Sequence, residues 1–150
     1  MKKSVSLLMA VLILVTGSIT VFGQGASASE KLASGNYVVY AVSPQVWRFT
    51  VDAKTMANAS VAGHFSISTG TPKTIDVFVF AEDQYFKWRS DDDAVKATAK
   101  PVFSSLKKTD GDLTVKITDP GNYYLVFSNL FAYEGTKALS ADVKLQYDKR

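Results

Sequence analysis

The sequence predicts an all-β fold, an antiparallel β-sandwich of about eight strands. From Asn36 to the C-terminus, apolar and polar residues alternate at period two, as they do along half-buried strands. Gly, Pro, Asn and Asp interrupt that alternation at intervals suited to a sandwich. No segment carries a helical pattern long enough for a βαβ crossover.

The strands follow in order. NYVVYAV (36–42) is rich in β-branched and aromatic residues, and Pro44 separates it from VWRFTVD. There Trp47, Phe49 and Val51 share one face, Arg48, Thr50 and Asp52 the other, and the two runs read as a first hairpin. SVAGHFSIS sets Val61, Gly63, Phe65 and Ile67 opposite His64, Ser66 and Ser68. After the TGTPK turn, TIDVFVFA is apolar on both faces except at Asp76, which predicts a strand inside a sheet. Residues 82–101 break the rhythm with five acids and read as a long loop holding at most a turn of helix. VFSSLKK and DLTVKIT resume the alternation, with Asp110-Gly111 as a tight turn between them and Leu113, Val115 and Ile117 sharing a face. In the last strand Leu139, Ala141, Val143, Leu145 and Tyr147 face inward.

The segment TDPGNYYLVFSN (118–129) places a Pro-Gly turn ahead of a strand that is apolar on both sides. The spacing Asp119-x-Gly121-x-Tyr123 resembles the tyrosine corner of immunoglobulin-type sandwiches, in which the Tyr hydroxyl bonds back to nearby backbone. The order GHFSIS, IDVFVFAED, a variable loop, GDLTVKI, GNYYLVFSN and KALSADVKLQY (62–147) also resembles the GOLD family, the β-sandwich of emp24-type cargo proteins. A GOLD/jelly-roll or an immunoglobulin-like sandwich is therefore the expectation. The chain departs from eukaryotic GOLD proteins in lacking their disulfide cysteines, coiled coil and membrane anchor, so cargo transport does not carry over. The resemblance implies a domain that binds partners without catalysing reactions. Asn129 matches a recurrent Asn of that pattern; its alternatives are an Asx-type turn and a ligand contact.

The chain begins with Lys2 and Lys3, then an apolar stretch, then small residues, which is the tripartite form of a secretory signal. Residues 1–28 are expected to be the signal peptide, cleaved after Ala26-Ser27-Ala28, with Val21-Phe22-Gly23 before Gln24 as the rival site. An uncleaved anchor is the alternative, since the stretch approaches the roughly 20 residues that span a bilayer. Residues 29–35 then form a short polar linker and 36–150 the sandwich domain, in the periplasm or outside the cell. Loss of the two lysines lowers the formal net charge from +3 to +1, so nothing favours a nucleic-acid partner or, after cleavage, a membrane. The absence of Cys excludes disulfides, thiol catalysis and cysteine zinc sites.

Catalytic motifs are scarce. His64 is the sole histidine and sits on the polar face of its strand; no G-x-S-x-G or phosphate-binding loop occurs. Two candidate sites fall in residues 82–100. Glu82, Asp83, Asp91, Asp92 and Asp93 are a candidate Ca²⁺ set, with a solvated acidic loop as the alternative; no other cofactor is expected. Tyr85, Phe86 and Trp88 are candidate ligand-binding aromatics, suited to stacking on sugar rings or to a protein interface. Their alternative role is to plug the open end of the sandwich, with Trp88 the one expected to stay accessible. The function expected is that of a secreted, non-catalytic module binding a protein or glycan through this segment. The rivals are a cell-envelope component assembling through strand edges and a hydrolase using carboxylates of the acidic segment.

Overall fold

The computed structural model describes residues 25–132 and 135–150. The expected signal peptide lies outside the described residues except for its last four positions. Among the described residues no helix is long and apolar enough to cross a membrane.

Eight strands form two four-stranded antiparallel sheets. They are β1 (Ser27–Tyr40), β2 (Gln45–Val51), β3 (Met56–Thr69), β4 (Ile75–Ala81), β5 (Phe103–Lys108), β6 (Asp110–Lys116), β7 (Gly121–Ser128) and β8 (Thr136–Lys149). One sheet has the order β1-β8-β3-β6 and the other β2-β7-β4-β5. This is a jelly-roll order, in which the chain passes back and forth between the layers, and not the split of an immunoglobulin domain.

That topology corrects three expectations. β1 and β2 form no hairpin: β1 pairs with β8, β2 pairs with β7, and only an isolated Tyr40–Ser43 bridge closes the turn between them. Asp110-Gly111 is no tight turn either, because the chain crosses there from β5 in one sheet to β6 in the other. Gly111 instead pairs with Phe65, where a Cβ would come within 3.2 Å of the Phe65 ring. Residues 29–35 are not a linker but the first half of β1, in register with β8 from Ser27 opposite Asp148 onward. Their polar composition fits an edge strand whose outer side faces water.

The core is the space between the sheets. Val61, Phe65 and Ile67 of β3, Leu113 and Val115 of β6, and Leu139, Ala141, Val143 and Leu145 of β8 meet Phe49, Val77, Val79, Leu125 and Phe127 from the other layer. Phe65 and Trp47 both pack edge-on to Phe127, at 5.7 and 5.8 Å between centroids. Truncating a side chain as enclosed as Leu125 to Ala removes about 2–5 kcal/mol. The expectation that β4 and β7 are interior holds, each having a partner on both sides. The Tyr123 hydroxyl donates to the Asp119 carbonyl at 2.8 Å, closing the corner where the chain changes sheets.

One end of the core holds two polar residues at inward-facing positions. Lys137, at the start of β8, is 1% exposed; its ammonium donates to the Pro72 carbonyl and lies 5.4 Å from the Phe131 ring centre. Burial lowers its pKa. Asn129 is equally enclosed, and neither atom of its amide has a hydrogen-bond partner in the structure. Its Asx-turn alternative is absent, since Asn129 Oδ1 accepts no hydrogen bond among the described residues; one residue earlier the Ser128 hydroxyl accepts the Leu130 N–H at 3.2 Å.

Candidate functional site

Among the described strands, β4 and β5 are the one pair consecutive in the chain that also lie side by side, and residues 82–102 are inserted between them. The expected loop is two short helices, α1 (Glu82–Trp88) and α2 (Asp93–Lys96). Helices this short do not persist in water by themselves, so packing has to hold them. In α1 the residues Tyr85 and Trp88, three apart, turn toward the outer face of the second sheet. Glu82 and Asp83 in its first turn and Lys87 in its last suit the helix dipole. α2 is capped by Asp92, whose carboxylate accepts from the Ala94 N–H at 2.8 Å.

α1 makes a third layer. Tyr85 lies parallel to Tyr124 of β7, with ring centres 4.1 Å apart and planes 8° from parallel. Trp88 rests on Phe78 and Phe80 of β4 at 5.7 and 5.5 Å. This cover explains why Phe80 and Val126, on the outer side of their sheet, are 1% and 0% exposed. The aromatic residues therefore do not plug the end of the sandwich; they roof one of its faces. Phe86 is 59% exposed and meets Tyr85 and Tyr124 only edge-on, whereas Trp88 and Tyr85 are half-buried. Phe86, not Trp88, is the accessible one, because positions 85 and 88 lie over the sheet while 86 sits at the rim of the stack.

The polar side of α1 is tied down through Glu82. Its carboxylate accepts from Asn122 at 3.1 Å, from the Tyr124 hydroxyl at 3.2 Å and from Arg48 at 3.2 Å. The Asn122 bond chiefly, aided by Tyr124 and Arg48, holds the Glu82 pKa below the ordinary range against some desolvation. Tyr124 is shifted up, by desolvation first and then by Glu82. Arg48, Asn122 and Tyr124 could not be singled out from the sequence, since their contacts join β2, β7 and α1 across long separations. The one available signal was that each faces outward beside an apolar neighbour.

The five acids of the candidate Ca²⁺ set are not brought together. Glu82 is engaged with Arg48, Asp83 lies 3.9 Å from Lys87, Asp92 caps α2, and Asp93 lies 3.5 Å from Lys96. Among the described residues no group of three or more His, Cys, Asp or Glu side chains is arranged to hold a metal ion. Four of the five are thus engaged with separate partners on or beside α1 and α2, and Asp91 is exposed. His64 is exposed and pairs with Asp112 at 2.8 Å, both on the outer face of the other sheet.

Between the C-terminal end of α1 and the β7–β8 connection lies a cleft of about 500 Å³. Trp88, Phe78, Leu130 and Phe131 supply its apolar walls, and Asp76, Arg89 and Asp91 are among its polar groups. Asp76 Oδ1 accepts the Lys107 N–H at 2.8 Å, and burial raises the Asp76 pKa despite that bond.

The geometry defines a jelly-roll sandwich bearing an aromatic helical roof on one face. No family model matches the chain, and no curated protein does. Among solved structures it is similar to PliG of Aeromonas hydrophila, a periplasmic lysozyme inhibitor of g-type lysozyme. The TM-score is 0.44 and the identity 15%, over 82% of this chain and 88% of that one. A structure of infectious bursal disease virus, Gx strain, is similar over 82% of this chain and 29% of its own, with TM-score 0.32 and 12% identity. With both scores this low, the fold assignment rests on the sheet order and register.

Proposed function

We propose that this chain is an exported, non-catalytic binding module that engages a protein or glycan through the α1–α2 face. The observation that carries the reading is Phe86: a large apolar side chain, 59% exposed, mounted on a rigid stack of Tyr85 and Tyr124. An aromatic ring held in place from beneath has little conformational entropy to lose on contact, which is the character of an interface anchor. Val95 of α2 adds a second exposed apolar side chain to the same segment. The GOLD resemblance of residues 62–147 is consistent with a partner-binding role, and the basic and apolar start of the chain with export. The engagement of Glu82, Asp83, Asp92 and Asp93 with neighbouring groups supports a non-catalytic role over a hydrolase.

The second reading, assembly through strand edges, is favoured by β1, a 14-residue edge strand with Val38 and Tyr40 about half exposed. Against it, a bulge between Lys31 and Ala33 and the Gln45 side chain bonded to the Val38 carbonyl both disrupt that edge. Capture from the native secreted fraction separates the two. Partners lost with Phe86→Ser and retained with Tyr40→Ser support the helical face; the reverse pattern supports the edge.

A further inference from the structure

We infer that the cleft between Trp88 and Phe131 is a subsite for a neutral pyranose ring, so that the ligand of the α1–α2 face is a glycan. This rests on the proposed binding role and narrows it. The cleft, at about 500 Å³, has room for one or two sugar rings. Its apolar surface comes from Trp88, Phe78 and Phe131 together with Leu130, and aromatic rings offer flat surfaces to the C–H faces of sugars.

Around those rings stand polar groups with unused bonding capacity. Ser128, 2% exposed, accepts the Leu130 N–H, and Ser90 accepts the Asp92 N–H, so both hydroxyl hydrogens remain to be donated. Asp76 uses Oδ1 for the Lys107 N–H and has no ion-pair partner within 4 Å among the described residues. Arg89 and Asp91 likewise form no salt bridge among the described residues. Directional donors and acceptors beside an aromatic wall suit a ligand with many hydroxyls.

Charge and backbone argue against other ligands. Asp76 and Asp91 offset Arg89 and Lys96 in the lining, and the Lys107 and Lys137 ammonium groups lie 5.8 and 5.4 Å from the Phe131 ring centre, which disfavours a cationic ligand. β4 and β7 are each paired on both sides, so an extended peptide finds no free strand edge in the cleft.

The test uses fluorescence. The chain has two tryptophans, and Trp47→Phe leaves Trp88 as the sole reporter. The mature protein carrying this change is titrated with chitotetraose, cellotetraose, maltotetraose and an acetylated apolar tetrapeptide; the unsubstituted protein is titrated in parallel by calorimetry. A saturable response to at least one tetrasaccharide, weakened tenfold or more by Asp76→Asn with the unfolding midpoint retained, is expected. A response to the peptide alone, to none of the four, or to a sugar without dependence on Asp76 overturns the inference. Loss of the sugar response while Phe86-dependent capture persists would remove the subsite and leave the binding module. Release of new reducing ends from a bound sugar would keep the subsite and contradict the non-catalytic role.

Discussion

Tyr85 of α1 and Tyr124 of β7 lie face to face, 4.1 Å between ring centres and 8° from parallel. That contact couples a seven-residue helix to the sheet and leaves Phe86, its neighbour in sequence, outside. The two positions should therefore separate stability from binding. Tyr85→Ala is expected to lower unfolding free energy by about 1–3 kcal/mol, the range for losing a half-enclosed aromatic. Phe86→Ser should change it by no more than about 0.5 kcal/mol, as surface substitutions do. Urea denaturation of both variants measures the difference.

The Tyr123 hydroxyl and the Asp119 carbonyl are 2.8 Å apart at the crossing from β6 to β7. Tyr123→Phe keeps the ring stacked on Phe49, at 5.6 Å, and removes only the bond. A loss of about 1 kcal/mol by chemical denaturation is expected, from the missing bond and the unsatisfied carbonyl.

Glu82 should leave a pH signature. Its folded-state pKa is depressed, first by Asn122 and then by Tyr124 and Arg48. The ionised carboxylate thus favours the folded state at pH values above the ordinary glutamate pKa of 4.5, and that contribution disappears as acid protonates the folded protein. Glu82→Gln should be less stable than the unsubstituted protein at neutral pH, with the gap closing progressively below pH 4.5. Thermal melts of the pair across that range provide the check.

The mature N-terminus is a further prediction. Ser27 and Ala28 are in register with Asp148 and Tyr147, the Ser27 hydroxyl bonds Asp148 at 3.1 Å, and the Ala26 carbonyl accepts the Lys149 N–H at 3.1 Å. Cleavage after Ala28 would discard these contacts, whereas cleavage after Gly23 keeps them. N-terminal sequencing of the exported protein should begin at Gln24; a chain beginning at Ser29 would contradict this.

Strand content was legible because period-two alternation is local: the inward sets of β3, β6 and β8 appear in the sequence as they do in the core. Partner choice was not, since β1 and β8 meet across the whole chain, and the two hairpins expected from adjacency were crossings between layers. The tyrosine corner could be read because its hydroxyl reaches only four residues back. In the candidate site the aromatic residues were visible and their roles partly inverted. Tyr85 and Trp88 are spaced as on one helix face, but a single pair inside an acidic stretch is too short a window to separate helix from loop. Arg48 and Asn122 gave no local sign, because their importance comes from Glu82, brought to them by the fold.

The most direct test of the helical face as the contact surface is photo-crosslinking in the native secreted fraction. A benzophenone amino acid replaces Phe86 in one protein and Tyr40, on the exposed side of β1, in another. A discrete adduct from position 86 and none from position 40 is expected. Adducts from position 40 alone would contradict it and assign the contact to the strand edge.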